Sequence, residues 1–128
     1  MKVQVGVAMF MVAIGGRAFA HHTAANLYDV QNRVELMGTV TSVEWKNPHV
    51  IVHVDGKTTQ GSLASWTLEA RAVYIMKRQG FTEDFLKVGD TAKLTVCKAK
   101  DGSPTGGLEA INYPDGTKFV GMCVIPTS

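Results

Sequence analysis

The first twenty residues constrain this chain more than any others, because they set where it folds and how much of it there is to fold. Lys2 is followed by the apolar run Val3 to Ile14 and by small residues ending in Ala18-Phe19-Ala20. This is the charged, apolar and A-x-A order of a cleavable export signal. The apolar run holds about a dozen residues, whereas a helix needs roughly 20 to span a bilayer, so no stable membrane insertion is expected after cleavage. Processing after Ala20 would make His21 the first residue of a periplasmic or secreted protein. Residues 21–128 then suffice for a single domain and are too few for two.

Losing the signal removes two of the 13 basic residues, Lys2 and Arg17, and none of the 11 acidic ones, so the mature part is formally neutral. No run of Lys or Arg remains to follow a phosphate backbone, which argues against nucleic acid as a partner. Cys97 and Cys123 both lie in the exported part, where an oxidising compartment lets disulfides persist. A structural bridge is the expectation, and a pair of inert buried thiols is the alternative. Their spacing fits neither a C-x-x-C redox site nor covalent haem attachment.

Along the mature chain the dominant period is two. Leu36, Gly38 and Val40 alternate on one face, then the phase switches to Val43 and Trp45, which predicts a bulge or bend near Thr41-Ser42. Val50 to Val54 reads as a second strand closed by the turn signal Asp55-Gly56, and Ala64 to Glu69 as a third. Ala70 to Gln79 changes to a helical period, with Lys77 and Arg78 suiting its C-terminal dipole and Gly80 as the stop. Thr82-Glu83-Asp84 could cap a further turn. Thr91 to Cys97 is the next strand. Gly106-Gly107 reads as turn chemistry, and Leu108 to Tyr113 and Lys118 to Val124 flank Pro114-Asp115-Gly116 as a final hairpin. The order predicts a mainly β protein: a small, partly open OB-like β-barrel with one short helix between strands 3 and 4. A β-sandwich with an inserted helix shares the same string.

All four histidines, His21, His22, His49 and His53, survive cleavage. A mature N-terminal His offers an α-amino group and an imidazole to one ion, a donor pair that suits copper and also nickel or zinc; the bland alternative is a free terminus without a partner. His49-x-x-x-His53 has the spacing of a helical metal pair, but Pro48 and the β-branched residues around it favour a strand. At about 3.3 Å per residue the two would stand roughly 13 Å apart. Only one can join the N-terminal pair, and His49, in the turn after Pro48, is the candidate. The candidate metal ligands are therefore His21, His22 and His49. Trp45, Asn47, Trp66 and Glu69 form a candidate binding surface, although both tryptophans suit packing at least as well. Glu69 could orient a histidine, act as a base or serve as a further ligand, or simply be exposed at a helix start. Nucleophile-elbow, phosphate-loop, dinucleotide and H-E-x-x-H signatures are missing, so no catalytic residue is assigned and no enzyme is expected.

His21-His22-Thr23, Trp45-Lys46-Asn47-Pro48-His49, Trp66-Thr67-Leu68-Glu69, Arg78-Gln79-Gly80-Phe81, Gly89-Asp90 and Asp101-Gly102 occur in an order that resembles a known group. It is an uncharacterised family of small exported bacterial proteins, a domain of unknown function whose mature ends carry paired His and a W-x-N-P-H element. The resemblance implies a periplasmic β-barrel and brings no activity, ligand or catalytic residue. Thr23, Tyr28 and Phe81 stand where Ser, Phe and Trp are usual, and the two cysteines lie outside the pattern. Three functions follow as expectations: a small exported protein binding copper or another transition metal; a non-enzymatic interaction module docking an exported or membrane protein; and a metallo-oxidase working at an N-terminal His. About 108 residues leave the last little room for a substrate surface.

Overall fold

The computed structural model describes residues 24–123. A single helical turn, α1 (Ala24–Leu27), leads into β1 (Tyr28–Glu44), β2 (Ile51–Thr58), β3 (Ala64–Glu69), α2 (Val73–Arg78), β4 (Thr91–Ala99), β5 (Thr105–Tyr113) and β6 (Gly116–Phe119). Neighbouring strands run β3-β2-β1-β4-β5-β6, and a short parallel pairing of Thr67–Glu69 with Thr105–Gly107 joins β3 back to β5. The first five strands thereby close into the predicted OB-like barrel, with α2 between β3 and β4.

Alternation decides what lies inside. On β2 Val52, Val54 and Gly56 point inward while Ile51, His53 and Asp55 do not, and β3 buries Trp66 and Leu68 between Ser65, Thr67 and Glu69. Leu36, Val40, Leu94, Val96 and Leu108 complete an enclosed aliphatic interior. Met76 of α2 and Phe81 and Leu86 of the following loop pack onto it. Gly80, at φ +86°, ends the helix as expected.

The register of β1 on β2 slips between Val40 and Ser42, where the phase switch predicts a bulge. Several boundaries differ from the sequence reading. β1 begins at Tyr28, so the polar stretch before Leu36 is strand. Asp55-Gly56 is no turn: both lie inside β2, and the chain reverses at Thr59 to Gly61. Gly56 pairs with Gly38 across the ladder. A Cβ on Gly38 would come within 2.5 Å of the Asp55 carbonyl oxygen, so this crossing admits no side chain. Gly106-Gly107 likewise belongs to β5, and Thr82-Glu83-Asp84 forms a turn without a helix. The last strand ends at Phe119, and Cys123 sits in the turn beyond it.

Cys97 and Cys123 are bridged, with Cα atoms 6.2 Å apart, within the span a disulfide allows. With Tyr28 and Val30 they form a second buried cluster, separate from the barrel interior. A Cβ on Gly107 would stand 2.8 Å from Cys97 Sγ and 3.1 Å from Cys123 Sγ, so the glycine in β5 makes room for the bridge. Arg33 Nη2 donates to the Cys123 carbonyl at 3.1 Å, and the Cys123 N–H donates to Glu109 Oε2 at 2.9 Å. These bonds fasten the segment after β6 to Arg33 of β1 and Glu109 of β5.

Candidate functional site

The outer faces of β2 and β3 carry the polar residues that alternation excludes from the interior. Ile51 pairs with Glu69, the Val50 N–H donates to the Arg71 carbonyl at 3.0 Å, and the Ala70 N–H donates to the Val50 carbonyl at 2.8 Å. Val50 and Ala70 are buried. His49 and Glu69, one position away on each chain, are therefore turned to the same outer surface as diagonal neighbours. His49 Nδ1 is hydrogen-bonded to Glu69 Oε1. The histidine follows a cis Asn47-Pro48 bond.

Tyr28 reaches the same carboxylate from the start of β1: its hydroxyl donates to Glu69 Oε2 at 2.5 Å. Burial, then the hydrogen bond and charge of Glu69, push the Tyr28 phenol above its ordinary range, so it remains a donor. The row Tyr28, Glu69, His49 thus joins three elements distant in sequence. Beside it lies a concavity of about 430 Å³ lined by Leu27, Ile51, Thr67, Asp101 and Thr105 together with Tyr28 and Glu69. Hydrogen bonds from Ser103 hold the Asp101 carboxyl below the usual carboxylate range.

The imidazole of His49 is 39% exposed, and its Nε2 has no hydrogen-bond partner among the described residues. A ring anchored at one nitrogen and open at the other can accept a proton or donate to a metal ion. His53 belongs to a different network, with Nε2 bonded to Glu44 Oε2 at 2.9 Å and Nδ1 to Thr67 Oγ1 at 3.3 Å. Lys46 and then His53, as hydrogen-bond donors, lower the Glu44 carboxyl. Among the described residues no group of three or more His, Cys, Asp or Glu is placed to hold a metal ion. His21 and His22 lie outside the described residues.

The candidate binding surface divides. Asn47 is exposed and Trp45 is half-buried, its ring 5.8 Å from that of Phe85. Trp66, in contrast, is 6% exposed and belongs to the barrel interior, beneath any docking surface, because its place on β3 has inward parity. Its indole N–H is buried without a partner among the described residues. Sequence reasoning missed Tyr28, which looks like an ordinary aromatic in a polar stretch; only the fold brings it to Glu69.

Residues 8–109 match DUF6152, a family of unknown function. The match ends within β5, so β6 and Cys123 fall beyond it. Comparison with curated proteins and with solved structures finds no match for the chain.

Proposed function

The chain belongs to the DUF6152 family, which brings no activity with it, and we propose from its own residues that it is a small exported, periplasmic metal-binding protein. Copper, or a similar transition metal, is held by His21, His22 and His49. The observation that carries this reading is the imidazole of His49, anchored at Nδ1 by Glu69 and without a partner at Nε2 among the described residues. Tyr28 hydrogen-bonds the carboxylate that holds His49, and His22 stands two positions before α1. The described chain thus opens, at Leu27 and Tyr28, beside the carboxylate that holds the third ligand. An α-amino group and imidazoles suit Cu(II), and the protein acts as a binder without catalysis.

The test is titration of metal-free mature protein, shown by intact mass to begin at His21, with Cu(II). His21→Ala and His49→Ala should each weaken binding at least tenfold, with His53→Ala near wild type. Equal, weak binding in all four proteins, or a mature chain that retains Ala20, would sink the proposal. That result would favour a second reading, an accessory module docking an exported or membrane protein. A concavity of about 630 Å³ lined by Trp45, Lys77, Gly80, Phe81, Thr82 and Glu83 supports it.

A further inference from the structure

We infer that Glu69 and Tyr28 are positioning residues that aim His49, and that the atom His49 offers a metal is Nε2; this deepens, and rests on, the metal-binding reading. The carboxylate is shared between two donors: Oε1 faces His49 Nδ1, and Oε2 accepts from the Tyr28 hydroxyl. The two nitrogens of an imidazole point to opposite edges of the ring. An ion about 2 Å from Nε2 therefore lies on the far side of the ring from Glu69. Glu69 cannot join the same ion without giving up Nδ1, which assigns it the role of orienter and excludes that of a further ligand.

The arrangement has a chemical consequence. Donating Nδ1–H to a carboxylate selects the tautomer whose Nε2 carries a lone pair, and it raises the donor strength of that nitrogen. Tyr28 supports the carboxylate from behind. Its ring is packed with Val30 and the disulfide, so the orientation of Glu69 is tied to a rigid cluster. Thr67, Asp101 and Thr105 border the same concavity, but none bonds to Glu69 or His49 among the described residues.

Two measurements decide the matter, one of which needs no metal. In metal-free protein labelled with 15N-histidine and held in mildly alkaline buffer, His49 should be the Nδ1–H tautomer, and Glu69→Ala should shift it toward Nε2–H. In copper titrations Glu69→Gln should weaken binding about 10- to 100-fold and Tyr28→Phe less. Glu69→Asp should recover part of the loss, and the EPR donor pattern should stay that of wild type. Melting temperatures that stay well above the assay temperature exclude general unfolding as the cause. An Nε2–H tautomer in wild type, or an EPR pattern that changes in Glu69→Gln, overturns the assignment. If wild type binds no copper, the metal-binding reading and the ligand role of Nε2 fail, while the tautomer result still decides whether Glu69 aims the ring.

Discussion

The barrel interior and the seam outside it are held by different means. Inside, Leu36, Val40, Val52, Leu68, Leu94, Val96 and Leu108 are fully enclosed, and each is one contact surface among many. At the seam four buried residues, Tyr28, Val30, Cys97 and Cys123, depend on one covalent bridge and on Arg33 and Glu109 to hold the tail. The lesson is one of separability. Packing is distributed, so a change inside the barrel is felt globally; the seam consists of discrete bonds that can be cut singly, and the candidate site draws Tyr28 from it.

Cutting each region in turn tests that contrast. Leu94→Ala, on a strand flanked by β1 and β5, should have the largest effect, up to about 5 kcal/mol of unfolding free energy within the usual range of 2 to 5. Denaturant unfolding measures it, and a loss below about 1 kcal/mol would mean that the interior tolerates a cavity as the seam does not. Replacing both Cys97 and Cys123 by Ala opens a loop of sequence separation 26, at a cost of roughly 3 to 4 kcal/mol in the chain-entropy model. Amide exchange at Val120 to Cys123 should then accelerate far more than at Leu36 or Leu94. Uniform acceleration would show that the two regions are one cooperative unit.

Tyr28→Phe should have the smallest effect at neutral pH, about 1.5 to 3 kcal/mol for a hydrogen bond to a charged acceptor. Its sign with pH is fixed by the raised phenol. Because the folded pKa exceeds the unfolded value of 10.0, the contribution is fully present below pH 10 and is lost as pH rises through the folded value. The stability gap between wild type and Tyr28→Phe should therefore narrow in alkali. Tyr113, also raised by burial, is present in both proteins and cancels. A gap that stays constant above pH 10 would remove the phenol from the account.

Legibility followed the range of the forces involved. The Thr41-Ser42 bulge, the third strand and the helix stop at Gly80 were readable because each is caused by neighbours in sequence. Gly56 and Gly106-Gly107 read locally as turn residues, whereas their true cause is close approach: Gly38 across one ladder, the Cys97 carbonyl and the disulfide across another. The first half of β1 was obscured because Gln31, Asn32, Arg33 and Glu35 are exposed in the finished sheet and carry no apolar alternation. At the candidate site the histidine was visible and its anchoring was not. His49 meets Glu69 only through the pairing of β2 with β3, and Tyr28 only through closure of the barrel.

The central place of β1 also imposes an order of assembly. One edge is satisfied early by β2, whereas the other waits for β4, beginning at Thr91. A chain emerging N-terminus first therefore holds a hairpin with an open edge until most of its length has appeared. Pairings so distant in sequence form slowly, and an open edge can recruit a second chain. Polar and charged residues along the leading half of β1 blunt that edge during the wait. The stretch that says least about the fold thus acts on the interval before there is one.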